Sequence, residues 1–458
     1  MTFTSNIFLI GILPWFILLF YLMRNFNTPK KVLIFLMNTI FYIFGGIGAF
    51  AFFCGFSFII WVFCLILRKN KNRIIFGMIC FISVFPLLAI KYTGFAVSNI
   101  NLLFNYCIKA PNILMPMGIS FFTFQAISCL CDVYTDKIKE KVKLIEIYTY
   151  LSFFPTVTSG PIIRFMNFKI GFEKEVISQR YDVSIERIVV GLCKKVLIAD
   201  KIAALTDYYY NGVAVGNTYS VIGLWIGSIA YTLQLYFDFS GYSDMAIGMG
   251  QLMGFDILEN FNRPYTATSI QDFWKKWHIS LSQWFRDYIY IPLGGNRCKV
   301  PIHILNLFIV WLITGLWHGA DWSFVIWGLG YFVLLVGEKY LPFMKKMKEH
   351  WYGHLYALFF VNLLWIPFRA DNLAVAHNYI AGMFGVNGLG SVEFKAIRFL
   401  PFLLFVVILC LPWNNVLKKY KDKLWFKIVK GIIILILAVF SICAVINSSY
   451  MPYIYGNF

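Results

Sequence analysis

The run Leu312-Ile-Thr-Gly-Leu-Trp-His-Gly-Ala-Asp-Trp322 is apolar enough to lie within a membrane, and it carries a histidine, His318. Forty residues earlier, the run Trp274-Lys-Lys-Trp-His-Ile-Ser-Leu-Ser-Gln-Trp-Phe-Arg286 carries a second histidine, His278, which also follows a tryptophan directly. The polar, glycine-rich stretch Pro292-Leu-Gly-Gly-Asn-Arg297 lies between them. A histidine at membrane depth is costly to place and indicates a functional site. The three stretches together predict a reaction centre buried in a bilayer.

The composition places the whole chain in a membrane. Of its 458 residues, 60% are hydrophobic, 19% aromatic and only 14% charged, and the mean hydropathy is +0.70. No soluble globular domain of this length can bury so much apolar surface. The first apolar stretch, 7–23, has neither a basic segment before it nor a cleavage site of small residues after it, so it predicts a retained transmembrane helix and not a signal peptide.

Apolar segments of spanning length occur along most of the chain. They lie near 7–23, 31–47, 49–67, 74–90, 113–131, 146–163, 221–239, 302–317, 322–341, 354–368, 397–413 and 428–447. One or two of these segments are expected to be re-entrant or half-buried. The prediction is therefore an all-α polytopic membrane protein with roughly eleven transmembrane helices around a central funnel or tunnel. The more polar region 260–300 predicts amphipathic or re-entrant helices on the cytoplasmic side.

The net charge of +18 follows the pattern of membrane orientation. Basic residues cluster in alternate loops, in particular Arg68–Arg73, Lys137–Lys143 and Lys418–Lys430. Cytoplasmic loops carry such an excess of Lys and Arg. We therefore expect both termini outside and these loops in the cytoplasm. The same pattern accounts for the basic charge without nucleic acid as a partner.

Several other polar residues are candidates with two interpretations each. Asp238, Ser240 and Asp244 could orient a histidine, but capping of a following helix is the favoured interpretation. Arg164, Arg286 and Arg297 could bind the phosphates of a donor, or could simply be cytoplasmic positive charge.

The remaining histidines and the cysteines are expected to have no part in the chemistry. His303, His350, His354 and His377 are expected in solvated or interfacial positions. The ten cysteines are scattered and mostly lie in apolar runs, so they are interpreted as small buried hydrophobes. No HExxH or related spacing of metal ligands occurs, and no metal is predicted.

The motifs in the middle of the chain resemble those of the membrane-bound O-acyltransferase (MBOAT) family, and most closely its bacterial alginate O-acetyltransferase branch. The resemblance extends from about 110 to 370. The segments that carry it are Pro116-Met-Gly-Ile-Ser-Phe-Phe-Thr-Phe-Gln125, Gly160-Pro-Ile-Ile-Arg164, Phe237-Asp-Phe-Ser-Gly-Tyr-Ser-Asp244, Arg263-Pro-Tyr265, the near-contiguous block from Phe273 to Arg297, Gly315-Leu-Trp-His-Gly-Ala320 and Trp365-Ile-Pro-Phe-Arg369.

The resemblance implies that His318 is the principal catalytic residue and that His278 is its partner across the tunnel. The physical chemistry agrees, because acyl transfer to a hydroxyl needs a base, and a neutral imidazole is the side chain best matched to that role. The alternative for each histidine is a core residue bonded to a backbone carbonyl. Residues expected to contact donor or acceptor are Arg286, Arg297, Arg164, Asn296, Trp317, Trp277 and Asp238.

The resemblance also implies the reactants and the location. The donor would be acetyl-coenzyme A or an acyl carrier thioester, with no bound cofactor, and the acceptor an extracytoplasmic polysaccharide. A separate extracytoplasmic esterase-like acetyltransferase, of the kind that carries its own serine nucleophile, is the expected protein partner. The location would be the bacterial cytoplasmic membrane.

The tail Tyr450-Met-Pro-Tyr-Ile-Tyr-Gly-Asn-Phe458 resembles an aromatic C-terminal motif in which a tyrosine relays the acyl group. Tyr455 takes the central position of that motif, so we expect it to be the first acceptor. An aromatic belt that anchors the last helix is the alternative. The predicted organisation is a single transmembrane domain over 1–447, followed by an extracytoplasmic tail over 448–458.

Two other functions remain open on the sequence. Within the same fold, the chain could be a D-alanyl transferase of the teichoic acid type that draws on an acyl carrier protein. From a different class, it could be a transporter of polysaccharide or lipid-linked sugar, although no internal repeat is visible. Which polysaccharide is modified is left open, since alginate, cellulose, peptidoglycan and capsule are equally compatible.

Overall fold

A computed structural model describes residues 3–23, 25–111, 113, 115–173, 181–413 and 418–447. Every regular element in this part of the chain is helical, which confirms the predicted all-α class. The chain divides into two compact units. One contains the residues up to Ile188 together with Tyr242–Leu258, and the other contains Val189–Gly241 and the described residues from Glu259 onward.

The first unit begins with a π-helical segment, Ile7–Ile12, that continues into α1. Its helices are α1 Leu13–Met23, α2 Asn27–Ile43, α3 Ile47–Lys69, α4 Arg73–Phe104, α5 Ile119–Tyr134, α6 Leu144–Leu151, α7 Phe165–Glu173 and the first part of α8 Tyr181–Cys193. Helix α5 packs against α3, α4, α6 and α7, so it lies at the centre of this unit. Fourteen of its sixteen residues are buried, in agreement with that position.

The prediction of a membrane span over 146–163 is wrong. Helix α6 ends at Leu151, and a series of turns follows. The buried side chain of Asn38 satisfies the backbone at this break: its Nδ2 donates to the Thr149 carbonyl at 3.1 Å, and its Oδ1 accepts from the Phe154 N–H at 3.0 Å. Pro155 and Pro161 cannot donate a backbone hydrogen bond, so this apolar run does not continue as a helix.

The second unit is built from the end of α8 and the helices that follow. These are a π-helical segment Lys194–Ala199, α9 Asp200–Ala214, most of α10 Val221–Leu252, α11 Ile270–Lys276, α12 Ile279–Phe285, a π-helical segment Arg286–Tyr290, α13 Val300–His318, α14 Trp322–Tyr340, α15 Pro342–Met347, α16 Tyr352–Arg369, α17 Leu373–Met383, α18 Phe394–Leu409 and α19 Leu424–Asn447. The region 260–300 contains a 3-10 helix, Pro264–Thr266, two short α-helices and a π-helical segment, consistent with the expected short elements.

The hairpin of α13 and α14 is the closest helix pair of this unit, and glycines make it possible. A Cβ added to Gly315 would lie 2.5 Å from the Phe324 carbonyl oxygen, and one added to Gly328 would lie 2.5 Å from that of Trp311. Small residues allow helix backbones to approach closely in membranes. Because His318 lies one turn beyond Gly315, this contact brings the histidine against α14.

Five helices in the described part of the chain are long and apolar enough to cross a membrane. They are α3, α4, α13, α14 and α19, and the shorter apolar helices Ile7–Met23 and Ile119–Tyr134 add to them. This supports a multi-pass membrane protein. The number of eleven spans and the central funnel stay predictions.

Candidate active site

His278 lies in the second unit between α11 and α12, with no exposed surface. Its backbone is left-handed, with φ 44° and ψ 53°. Such a conformation costs energy for a residue other than glycine, and it is found preferentially at functional sites. The buried side chain of Asn260 holds this turn, because its Oδ1 accepts from the Ser280 N–H at 3.2 Å and from the Ser280 hydroxyl at 2.9 Å.

The same Asn260 oxygen defines the protonation of His278. It lies 3.1 Å from His278 Nδ1. A backbone N–H can only donate, so the atom that it contacts is the amide oxygen and not the amide nitrogen. His278 therefore carries its proton on Nδ1, and Nε2 is the basic nitrogen. Burial lowers the pKa of His278 to about 3, so the imidazole is neutral at physiological pH.

His318 is the last residue of α13 and is 1% exposed. Its ring lies in an aromatic cluster, with centroid distances of 4.8 Å to Trp317, 4.8 Å to Trp327 and 5.1 Å to Phe368. Trp317 also lies 6.2 Å from the His278 ring. The two histidines predicted from the sequence therefore share one tryptophan as a neighbour. The structure brings them into the same buried site.

Three further tryptophans enclose this site. Trp327 on α14 stacks on Trp365 of α16 at 5.9 Å, and Trp365 lies 5.1 Å from Trp277, the neighbour of His278 in the chain. All three side chains are fully buried. None of their indole Nε1 atoms has a hydrogen-bond partner among the residues that the structure describes. A buried donor without a partner costs free energy, so three of them at one site indicate a place built for a hydrogen-bond acceptor.

Asp238 is held by an ion pair. It lies inside the continuous helix α10, so the favoured interpretation of Asp238, Ser240 and Asp244 as a helix-capping group is wrong. The Asp238 carboxylate instead pairs with the buried Lys195 ammonium at 2.7 Å, and Lys195 also pairs with Asp200 at 2.8 Å. Phe239, the next residue, packs edge-on against the His278 ring at 4.7 Å. Asp238 therefore holds the helix that forms one wall of the site.

Of the two positions expected for His303, the solvated one is wrong, and the interfacial one stays a prediction. It is 5% exposed, and its two ring nitrogens contact two tyrosine hydroxyls. His350, His354 and His377 are exposed, as expected.

Two adjoining cavities lie within the second unit, and we call them the basic cavity and the apolar cavity. The basic cavity, of about 490 Å3, is lined by four cationic side chains, Arg286, Lys339, Lys345 and Lys348, and by the carboxylate of Glu338. The apolar cavity, of about 290 Å3, is lined by Trp274, Trp311 and Thr314, among others. Their linings share five residues, namely Gln271, Arg286, Tyr290, Leu307 and Leu335. The two cavities therefore meet at these residues.

Two links connect the apolar cavity to His318. Thr314 lies four residues before His318 on α13, so the two side chains share one helix face. Trp274, also in the cavity wall, lies 5.8 Å from Trp327, which in turn contacts His318. Neither His278 nor His318 is part of either lining, so the connection to His318 runs through these side chains.

The predicted donor-binding residues are only partly brought together. Arg286 and Asn296 line the basic cavity. Arg297 is exposed on the turn that follows and is not part of either lining. Arg164 belongs to the other unit, where it precedes α7, and its role in donor binding stays a prediction. Tyr455 lies outside the described residues.

The sequence analysis missed residues that the structure places at the site. Asn260 and Trp327 carried no signal of their own in composition or spacing. Trp365 and Phe368 lie in a quoted motif, but nothing in that motif assigned them to the histidines. The lysines at 339, 345 and 348 were indistinguishable from ordinary loop charges, because only their convergence with Arg286 on one cavity sets them apart.

The described residues contain no group of three or more His, Cys, Asp or Glu side chains that could hold a metal ion. The site itself offers two imidazoles and several buried indole N–H donors.

Membrane-length helices and a histidine site buried among aromatic side chains define a multi-pass membrane enzyme. Comparison with known proteins identifies its kind: the chain belongs to the membrane-bound O-acyltransferase family, whose model matches residues 97–368. It is therefore an O-acyltransferase, as the motifs predicted.

Individual relatives cover most of the chain. It is 37% identical over 403 residues to the "Probable alginate O-acetylase AlgI" of Pseudomonas aeruginosa, which covers 84% of this chain and 75% of the relative. It is 34% identical over 421 residues to the "Peptidoglycan O-acetyltransferase" of Helicobacter pylori, with 83% and 78% covered. The "Teichoic acid D-alanyltransferase" of Bacillus subtilis is 29% identical over 251 residues, with 52% and 62% covered.

Proposed function

We propose that this enzyme transfers an acetyl group from a cytoplasmic thioester to a hydroxyl destined for an extracytoplasmic polysaccharide. The observation that carries the proposal is the convergence of His318 and His278 on Trp317 in a buried aromatic cluster. Two imidazoles in a site without bulk water suit a reaction that moves one proton between an oxygen and a sulfur. The names of the relatives support acetyl as the acyl group and a cell-envelope glycan as the acceptor.

In this mechanism His318 acts as the general base. It removes the proton from the attacking hydroxyl as the oxygen bonds to the thioester carbonyl carbon. The tetrahedral intermediate then collapses, the carbon–sulfur bond breaks, and the imidazolium of His318 returns the proton to the departing thiolate. His278, neutral and protonated on Nδ1, presents Nε2 as an acceptor that orients the incoming hydroxyl. No proton is gained or lost overall.

The buried indoles supply the second requirement of acyl transfer. Negative charge develops on the carbonyl oxygen in the transition state, and preorganised donors in a dry site stabilise it strongly. Trp327 is the best placed of these donors, since its ring is 4.8 Å from His318 and its Nε1 has no partner among the described residues. Trp365 and Trp277 extend the same row of donors.

The two cavities fit a donor with a phosphorylated end and an apolar end. At the basic cavity, Arg286, Lys339, Lys345 and Lys348 suit the phosphates of coenzyme A or of a carrier-bound phosphopantetheine. The apolar cavity suits the thioester end, and Trp274 in its wall contacts Trp327, the neighbour of His318. With the predicted orientation, the basic cavity faces the cytoplasm, where thioesters are made.

On the acceptor side, we propose that the acyl group crosses as an ester of Tyr455. The Tyr455 hydroxyl attacks the thioester carbonyl and the thiol leaves; a later acceptor hydroxyl attacks the resulting ester and restores the tyrosine. This scheme relies on the predicted topology of about eleven spans around a funnel, with both termini outside. The final transfer to sugar would be made by the extracytoplasmic esterase-like acetyltransferase expected as partner.

A D-alanyl transferase that uses a carrier protein is the second candidate within the family. The similarity to the "Teichoic acid D-alanyltransferase" of Bacillus subtilis favours it, although at lower identity and over a shorter stretch than the acetylases. The transporter hypothesis loses its basis, because the chain belongs to a family of acyltransferases.

The test is acetyl transfer by purified protein supplied with acetyl-coenzyme A. We expect release of coenzyme A and an acetylated C-terminal peptide in mass spectra, both of which vanish in His318→Ala. His350→Ala is the matched control, since that histidine is exposed and only stacks on Tyr352. Activity equal to wild type in His318→Ala would refute the catalytic assignment.

The remaining outcomes separate the finer claims. Coenzyme A release without an adduct on Tyr455, or with full polymer acetylation in Tyr455→Phe, contradicts the relay. Turnover only with a D-alanylated carrier protein contradicts the acetyl donor and supports the second candidate.

A further inference from the structure

Tyr290 lies at the boundary of the two cavities and belongs to the lining of both. It is the only one of the five shared residues with an aromatic hydroxyl; the others are Gln271, Arg286, Leu307 and Leu335. Any molecule that extends from the basic cavity into the apolar cavity passes this side chain. The role of Tyr290 therefore rests on the proposed function, in which a thioester donor takes that path.

A buried histidine holds the Tyr290 hydroxyl. His303 Nε2 lies 2.8 Å from the Tyr290 oxygen, and His303 Nδ1 lies 2.5 Å from the Tyr340 hydroxyl. A neutral imidazole has one donor and one acceptor, so it fixes one hydrogen-bonding function of each tyrosine. The Tyr290 hydroxyl has hydrogen-bonding capacity beyond this one contact, since it is both a donor and an acceptor. Burial raises the pKa of Tyr290, so the group stays a neutral hydroxyl at physiological pH.

The backbone around Tyr290 is equally constrained. Tyr290 ends the π-helical segment Arg286–Tyr290, and such segments occur frequently at functional sites. The Gly295 N–H donates to the Tyr290 carbonyl at 2.9 Å. Gly295 has φ +57°, and a Cβ added there would lie 3.6 Å from the Tyr290 ring. Asn306 in turn donates to the Gly295 carbonyl at 3.3 Å, so the Gly-Gly turn is itself held.

The chemistry of this position matches the middle of a phosphopantetheine arm. Such an arm has a phosphate at one end, a thioester at the other and two amide groups between them. The cationic side chains of the basic cavity suit the phosphate, and the apolar cavity suits the thioester end. A neutral hydroxyl held at the crossing suits an amide, which offers both a donor and an acceptor.

We propose that Tyr290 hydrogen-bonds an amide of the phosphopantetheine arm where the donor passes from the basic cavity into the apolar one, and that His303 positions Tyr290 for this contact. Coenzyme A and an acyl carrier protein share the arm, so the contact serves either donor. Tyr290 is then a donor-binding residue, and His303 and Tyr340 are positioning residues.

The test compares a donor that has the arm with one that lacks it. Tyr290→Phe removes only the hydroxyl, and loss of one neutral hydrogen bond should raise the KM for acetyl-coenzyme A about fivefold with little change in kcat. Ethyl thioacetate has neither amide nor phosphate, so its slow turnover should be equal in wild type and variant. With an acetylated carrier protein, the KM should rise by the same factor as with acetyl-coenzyme A if the carrier is also a donor.

The positioning role has its own readout. His303→Leu should reproduce the KM effect of Tyr290→Phe, because the hydroxyl loses its partner. His303→Gln keeps one donor and one acceptor, so it should restore a KM near that of wild type. Tyr352→Phe is the matched control, since Tyr352 is half-exposed, stacks on His350 and lines neither cavity.

The outcomes separate this inference from the proposed function. If wild type turns over acetyl-coenzyme A but Tyr290→Phe leaves its KM unchanged, or slows ethyl thioacetate by the same factor, the contact with the arm is refuted while the function stands. If wild type turns over neither an acetyl thioester nor an acyl carrier thioester, the proposed function itself fails. Binding of coenzyme A by titration calorimetry gives the same comparison without turnover, with a Kd about fivefold weaker expected in Tyr290→Phe.

Discussion

Replacing Asn260 by alanine tests whether one buried amide holds the conformation and the proton of His278. The Asn260 Oδ1 accepts three hydrogen bonds, from the His278 ring and from the N–H and hydroxyl of Ser280. All three residues are buried, so no bulk water replaces the lost oxygen. The substitution therefore leaves three donors in the interior without their acceptor.

The size of the effect follows from these three bonds. At about 1 kcal/mol net for each, the free energy of unfolding should fall by about 3 kcal/mol. The rate should fall as well, because nothing then holds the His278 proton on Nδ1 and keeps Nε2 basic. One hydrogen bond of about 1 kcal/mol corresponds to about a fivefold loss in rate.

The assay follows unfolding by SDS titration in mixed micelles, with tryptophan fluorescence as the signal, and acetyl transfer in the same preparation. Asn362→Ala is the matched control: Asn362 is also buried, and it makes two side-chain hydrogen bonds, one with Thr232 and one with Ser228. It should lose about 2 kcal/mol of stability and keep its rate. If Asn260→Ala unfolds like wild type, or transfers acetyl groups at the wild-type rate, the reasoning about His278 is wrong.

Three further predictions concern the framework of the site. Gly328→Ala should destabilise the protein by about 1–3 kcal/mol in the same titration, because the added methyl meets the Trp311 carbonyl oxygen at 2.5 Å; an unchanged midpoint would show that the hairpin can relax. Lys195→Ala should lower the free energy of unfolding by about 3–5 kcal/mol, since it leaves the buried Asp238 carboxylate without the Lys195 ammonium. Lys195→Arg keeps the positive charge, so a Lys195→Arg variant that unfolds as early would argue against charge as the cause. The pKa of His278 is about 3 in the folded protein, whereas a histidine in an unfolded chain titrates near 6.5, so stability should fall as pH drops from about 6.5 towards 3. Wild type should thus lose more stability than His278→Gln between pH 7 and pH 5, and equal losses would contradict the depressed pKa.

Hydropathy predicted most of the helices but could not place their ends. The segment 221–239 is the first part of α10, which continues to Leu252 and carries Asp238 and Asp244 inside it. Local polarity suggested that the helix ended there, whereas each carboxylate has a cationic partner, Lys195 for Asp238 and Arg187 for Asp244. In the opposite direction, the apolar run 146–163 is not a span, because Asn38 satisfies the backbone of a break that hydropathy does not detect.

His303 shows the same limit at a single side chain. Its position at the start of an apolar helix favoured a solvated or interfacial role. In the folded chain two hydroxyls, from Tyr290 and Tyr340, occupy its two nitrogens, and these tyrosines lie 13 and 37 residues away. Partners at such distances cannot be inferred from spacing.

The sequence by itself determined the class of protein and the residues at its centre. Apolar segments too extensive for any soluble core require a membrane, and histidines within such segments are too costly to be incidental. Only the tertiary structure decided which side chains meet those histidines: Asn260 at His278, Trp327 and Phe368 at His318, and Trp317 at both. The free energy of moving a side chain out of water depends on the chemistry of that side chain, so it can be estimated from the local sequence. Hydrogen bonds and ring contacts depend instead on where distant segments of the chain pack.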